Sequence, residues 1–313
     1  MKDYLKNCKL CPCACGVNRA DGQVGRCGAS ARLKVARAAL HFWEEPCISG
    51  EVGSGTVFFS YCPLGCVYCQ NAEISSGAAG AEITTERLAD IFLELQQSGA
   101  ANINLVTPTH YAPQIAVALA DAKARGLFLP IVYNCGGYEG KDSLDIMDGL
   151  ADIYLTDFKY MSNSLAKKYS NVSDYSAAAG AALKEMVRQT GAAVFDENGM
   201  LQKGVIVRCL LLPNCLEDAK EVVRYVYEAY GNNVYLSLMS QYTPMCEKRL
   251  PQELRRRVTD AEYNALIDYA VGLGVENGFV QEGAAAEESF IPTFDLTGVL
   301  AKQTTKNRSV ERF

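Results

Sequence analysis

The chain has 313 residues, 49% of them apolar, with 30 basic and 36 acidic side chains and a net charge of -6. That length and hydrophobic content suit one large α/β domain or two small ones. The mild acidity leaves no electrostatic footprint for a polyanion, so general nucleic-acid binding and attachment to an anionic membrane are disfavoured. Met1 to Leu10 is polar and holds a cysteine where a secretion signal needs an apolar core, and no run of about eighteen apolar residues occurs. The expected location is cytoplasmic, without a membrane partner. In that compartment thirteen cysteines point to metal-binding or catalytic thiols rather than to disulfides.

Residues 1–50 are cysteine-rich and show no βα alternation, and they read as an N-terminal extension with its own site. Cys8-x2-Cys11-x3-Cys15, with Cys27 after eleven intervening residues, is a four-thiolate set suited to one closed metal centre. Zinc would make it structural, and a second Fe–S cluster would make it an electron relay. Cys13 does not share the spacing cleanly and is left unassigned. Cys47, Cys135, Cys209, Cys215 and Cys246 are scattered and read as small buried hydrophobes.

From residue 51 to 290 short β-branched or aromatic runs alternate with amphipathic stretches, the pattern of βα units around a parallel sheet. The expected strands are Thr56 to Ser60, Asn102 to Val106, Phe128 to Tyr133, Asp152 to Thr156, Val205 to Leu211, Val234 to Leu238 and Gly278 to Gln281. A helix capped by Thr84 or Thr85 places Leu88, Ile91, Phe92 and Leu95 on one face. Ala112 to Arg125, Leu216 to Tyr230 and Asp260 to Gly272 have the same periodicity, with Gly99, Gly126, Gly231 and Gly274 as stops. Six or seven units fall short of a closed eight-stranded barrel. The expected fold is therefore α/β, an open, partial (β/α)6-type barrel of parallel strands, with a doubly wound sheet as the alternative. Residues 291–313 form a polar tail.

Ser60-Tyr61-Cys62-Pro63-Leu64-Gly65-Cys66-Val67-Tyr68-Cys69-Gln70-Asn71 directly follows the first of these strands, at the end where parallel barrels keep their active sites. Three clustered thiolates suit a [4Fe–4S] cubane with one iron open to a non-protein ligand; a zinc site or three buried thiols are the plainer alternatives. Thr107, Asn134, Asp157, Lys159, Arg208 and Gln241 fall at or just beyond other strand ends and are expected at the same mouth.

Cys-x3-Cys-x2-Cys with Tyr68 before the third cysteine resembles the radical SAM superfamily. The resemblance implies that the open iron chelates the amino and carboxylate groups of S-adenosylmethionine (SAM). One electron from the reduced cluster then yields a 5′-deoxyadenosyl radical. Over roughly residues 55 to 290 the chain is similar to proteins related to pyruvate formate-lyase activating enzyme. The shared stretches are residues 102–110, Asp157-Phe158-Lys159, residues 239–244 and Gln281-Glu282-Gly283. By this resemblance Asp157 and Lys159 help to hold the methionine end of SAM, and Tyr68 and Asn71 lie by the adenine and the cluster. Many members carry Gly-Gly-Glu at the end of the second strand to receive the SAM amino group; this chain has Thr107-Pro108-Thr109, whose oxygens are expected to take those hydrogen bonds. His110 reads as structural.

The function expected on these grounds is a radical SAM oxidoreductase that abstracts hydrogen, with an electron donor such as flavodoxin or ferredoxin. The resemblance offers a glycine of a glycyl-radical protein as the target; a small molecule or peptide is the alternative. In another class, an Fe–S electron-transfer or redox-sensing protein would need no SAM pocket.

Overall fold

The computed structural model describes residues 2–245, 250–281 and 292–301. Its strands are β1 (Leu33–His41), β2 (Ser54–Phe59), β3 (Ala81–Ile83), β4 (Ile103–Val106), β5 (Ile131–Cys135), β6 (Ile153–Asp157), β7 (Val194–Phe195), β8 (Leu201–Leu210), β9 (Tyr235–Met239) and β10 (Gly278–Val280). One sheet runs β10-β9-β8-β6-β5-β4-β2-β1-β3, with β7 paired to β8. From β2 to β10 the neighbours along this path are parallel and follow chain order without reversal. A doubly wound sheet reverses its order at a switch point; this one does not, which decides for the partial barrel.

The pleat sorts side chains into two layers. Ile103, Leu105, Tyr133, Tyr154, Val205 and Val207 belong to the main core, together with the helix face Leu88, Ile91, Phe92 and Leu95. The opposite parity faces inward, where Val132, Ile153, Leu155 and Ile206 close around Cys47 and Ile48. Those two residues belong to the short helix Pro46–Ser49, held by Asn102 donating to the Ile48 carbonyl at 2.7 Å. The segment after β1 thus fills the barrel interior, and only a sheet that wraps can touch it from so many strands.

The expected helices are found at Thr85–Gln97, capped by Thr84, Ala112–Ala124, Leu216–Tyr230 and Asp260–Leu273. Two strands differ from expectation. The run Phe128 to Tyr133 begins pairing only at Ile131, because Pro130 has no N–H to give the ladder and Phe128 is exposed. The run Val205 to Leu211 starts four residues earlier, at Leu201, where β8 turns back on β7. β1, within residues 1–50, is not anticipated; it pairs antiparallel with β2, with a register shift between Val35 and Arg37. Its alanines and that irregularity hide the alternation of a strand. Asn163–Ser170 and Tyr175–Thr190 are helices that the sequence reading leaves out. Glu282 and Gly283 of the fourth shared stretch, Cys246, and the tail beyond Ala301 lie outside the described residues.

Candidate functional site

The strand parity that buries Ile153 and Leu155 brings Asp157 to the inner face at the end of β6, and the same rule selects Asn134 on β5 and Arg208 on β8. Asp157 stands opposite Arg208, and Arg208 opposite Ser237, in the β6–β8 and β8–β9 registers. These groups make one network. Arg208 donates through Nε to Asp157 at 2.9 Å, through Nη1 to Glu44 at 3.2 Å and through Nη2 to Asn134 at 2.6 Å. Lys159 Nζ donates to the other Asp157 oxygen at 2.5 Å. Burial alone would raise the Asp157 pKa, but Lys159 and Arg208 together hold it below the usual carboxylate range. Burial works against the charge on Lys159 as well, and Asp157 more than restores it.

A cavity of about 700 Å³ opens above this network, a size suited to a small-molecule ligand. Cys62, Cys66 and Cys69 line it, as do Tyr68, Asn71, Thr107, Thr109, Asn134, Asp157, Lys159, Arg208 and Gln241. The residues expected at the barrel mouth are therefore neighbours around a single space. Gly137 lets the ends of β5 and β6 close up: its φ is +77°, and a Cβ there would lie 2.2 Å from the Asp157 carbonyl oxygen. Thr107 takes a φ of 60° at the end of β4, a left-handed conformation that costs a β-branched residue about 1–3 kcal/mol and tends to mark functional sites. Its N–H donates to the Asn134 carbonyl at 2.8 Å.

The cysteine loop is tied down on several sides. Gln70 donates to the Gln241 carbonyl at 2.8 Å, joining the loop to the end of β9. Cys66 Sγ lies 2.9 Å from the Ser170 hydroxyl, which meets Tyr160, whose hydroxyl in turn donates to Tyr68. Tyr68 is buried between Tyr169 and Tyr242, with its hydroxyl taken up by Tyr160. Burial, followed by the neighbouring Cys66 and Cys69, pushes the Cys62 thiol up to about 12, and burial also raises Cys69. The buried Cys62 and Cys69 thiols need a cation nearby to ionise. Iron would supply one, so Cys62, Cys66 and Cys69 fit as the residues that would hold an iron–sulfur cluster beside the cavity.

Glu44, Glu45 and Glu139 also line the cavity, and the sequence reading passes over all three. Glu44 is held by Arg208, Asn104 and Asn134. Glu139 accepts from Thr109 at 2.9 Å and Tyr133 at 2.8 Å, and burial pushes its carboxyl up to about 7. It stands a carboxyl behind Thr109, where Thr107-Pro108-Thr109 itself offers none. His110 is buried, with Nε2 against the Ser60 carbonyl at 2.8 Å, and burial and Arg19 lower it to about 3. It is a neutral structural group.

Cys8, Cys11, Cys15 and Cys27 lie outside the cavity. The stretch Cys8 to Val17 folds back on itself, with Gly16 donating to the Cys8 carbonyl and Cys8 to that of Val17. Cys27 feels Cys8 and Cys15, and Cys11 feels Cys13 and Cys27, so these thiols occupy one neighbourhood. Cys13 also touches Tyr138 on the cavity wall. Among the described residues no group of three or more His, Cys, Asp or Glu side chains stands as a ready-made metal site.

Residues 48–129 match a family model described as a 4Fe-4S single cluster domain, which contains Cys62, Cys66 and Cys69. The uncharacterized protein MJ0674 of Methanocaldococcus jannaschii is 27% identical over 281 residues, covering 86% of this chain and 75% of that protein. Among solved structures, Streptococcus suis SuiB bound to S-adenosylmethionine aligns with a TM-score of 0.48 at 12% identity, over 75% of this chain and 52% of SuiB. SuiB bound to the precursor peptide SuiA aligns with a TM-score of 0.48 at 13% identity, over 71% of this chain and 46% of that one. Methylornithine synthase (PylB) aligns with a TM-score of 0.46 at 13% identity, over 80% and 74%. The chain spans about half the length of the SuiB structures. No helix among the described residues is long and apolar enough to cross a membrane.

Proposed function

We propose that this chain is a radical SAM enzyme. The observation that carries the reading is the single cavity that places Cys62, Cys66 and Cys69 beside a polar set suited to a zwitterionic sulfonium ligand. When bound, the cluster supplies the electron that cleaves the sulfonium bond reductively and so provides a hydrogen-abstracting radical. The chain's own residues bind and orient. Lys159, pinned on Asp157, offers its ammonium to the SAM carboxylate, and Thr107 and Thr109, backed by Glu139, accept from the SAM ammonium. Asn134, Arg208 and Gln241 are assigned to the remaining polar edges, and Tyr68 and Asn71 to the adenine side. A purely electron-transferring or redox-sensing Fe–S protein has no use for a cavity of this size and polarity.

Within that reading the oxidoreductase class, the activating-enzyme-like subgroup and a glycyl-radical target rest on the resemblance of the shared stretches. Modification of a small molecule or peptide is the other option. A flavodoxin- or ferredoxin-like donor fits the need for a single electron. Cys8, Cys11, Cys15 and Cys27 are proposed to hold zinc or a second cluster, in an N-terminal segment 1–50 ahead of the barrel 51–290 and the tail 291–313.

The test is SAM binding to the anaerobically reconstituted protein, followed by isothermal titration without reductant. Lys159→Met is expected to weaken binding by roughly tenfold or more, the effect of a lost charge-assisted contact, with the cluster absorbance unchanged. Undiminished affinity in that variant would remove Lys159 from the SAM site.

A further inference from the structure

The cavity wall carries more negative than positive groups. Among the described residues its charged lining comprises the cations Lys159 and Arg208 and the carboxyls Glu44, Glu45, Asp157 and Glu139. His41, also on the wall, is pushed down to about 4 by burial and Arg37, so it adds no charge near neutrality. Asp157 engages both cations, and Glu44 shares Arg208. Arg208 is fully committed, its nitrogens going to Asp157, Glu44 and Asn134. Glu139 has the neutral donors Thr109 and Tyr133.

Glu45 is the group left over. It is 7% exposed, and its Oε2 has no hydrogen-bond partner. Ser237 serves the carboxyl on one side, and burial with Glu44 nearby pushes its pKa up against the pull of Arg208. A buried carboxyl with no direct ion pair is costly unless a ligand supplies one. It sits deep: the neighbouring Cys47 and Ile48 plug the barrel interior, so Glu44 and Glu45 form the floor beneath the cysteine loop.

SAM brings an ammonium, a sulfonium and one carboxylate, a net single positive charge. In the proposed pose its ammonium lies by Thr107 and Thr109 with Glu139 behind them, and no group of SAM is assigned to Glu45. The floor carboxyl is still unmatched. We propose that the substrate bears a cationic amine that seats on Glu45, below SAM. This rests on the SAM reading for the occupant of the mouth, and it narrows the substrate to amines or amine-bearing side chains protonated near neutral pH.

Trp43 is the sole tryptophan of the chain and lies on the cavity lining, so its fluorescence reports occupancy. The experiment titrates the reconstituted protein, with SAM present and no reductant, using n-butylammonium and its neutral isostere n-butanol. The ammonium is expected to bind roughly tenfold more tightly, the effect of a charge-assisted hydrogen bond. Glu45→Gln is expected to erase that preference, with circular dichroism confirming its fold. Equal affinities in the unaltered protein, or a preference that survives Glu45→Gln, would overturn the proposal. If Glu45→Gln does not fold, the comparison in the unaltered protein still decides. Because no SAM is cleaved, an ammonium preference in a protein that later proves unable to cleave SAM would refute the radical reading and leave this subsite standing.

Discussion

Glu139 shows how a single buried side chain links the site to stability. Its folded pKa of about 7 lies above the ordinary value of 4.5, with burial the largest cause. The folded chain therefore keeps a proton that the unfolded chain gives up, so the stability is fully present below 4.5 and is lost as pH rises through 7. The loss is on the order of 3 kcal/mol. Denaturant unfolding of the metal-free protein on either side of that window should show Glu139→Gln losing less stability with rising pH than the unaltered chain; equal losses would contradict the burial argument. Asp157 behaves oppositely, since its lowered pKa is stabilising above its unfolded value and that contribution fades only in acid. At this scale the sequence is readable where function concentrates in a spaced motif. Cys62, Cys66 and Cys69 announce themselves by spacing, and Asp157 and Lys159 by resemblance. Glu44, Glu45 and Glu139 carry no such mark, because a carboxylate in a loop becomes a site group only when the tertiary fold strips its water.

Among the elements, the cysteine-rich segment is bound directly to the loop of the central motif. Arg26, beside Cys27, donates to the Pro63 carbonyl at 2.9 Å, the Leu64 carbonyl at 3.2 Å and the Ser170 carbonyl at 3.0 Å. Pro63 and Leu64 lie between Cys62 and Cys66, and the Ser170 hydroxyl touches Cys66. Three contacts from one guanidinium hold the loop in the shape that its thiols need. Arg26→Ala is expected to bind less iron on reconstitution and to lose its cluster absorbance faster in air, with the circular dichroism of the barrel unchanged; full iron loading and unchanged lifetime would show that the loop shapes itself. The helices at Thr85–Gln97 and Leu216–Tyr230 were readable because one apolar face meets the sheet. Tyr175–Thr190 was not, because its run of alanines and Gly180 blurs the contrast between faces. β1 escaped for a related reason: strand pairing is a tertiary fact, and Ala36, Ala38 and Ala39 give little local preference for it.

In the whole molecule, the parallel order β2-β4-β5-β6-β8-β9-β10 aligns the strand ends, and the wrap of the sheet turns that line into a cavity wall. Both follow from βα alternation, so the barrel and its mouth could be foreseen. The floor could not, since it is made by residues 44–49, which lie in a stretch without βα alternation and fold into the barrel from outside its repeating pattern. Site and plug therefore depend on each other. The carboxylate of Glu44 reaches Asn104, Asn134 and Arg208 only because Cys47 and Ile48 anchor its loop.

The most direct test of the central claim is anaerobic reconstitution with iron and sulfide, reduction with dithionite, addition of SAM, and chromatographic detection of 5′-deoxyadenosine. The unaltered chain is expected to yield 5′-deoxyadenosine, and Cys62→Ala, Cys66→Ala and Cys69→Ala are expected to yield none. A fully loaded, reduced protein that leaves SAM intact, or a Cys66→Ala variant that still cleaves it, would overturn the assignment of these cysteines to SAM cleavage.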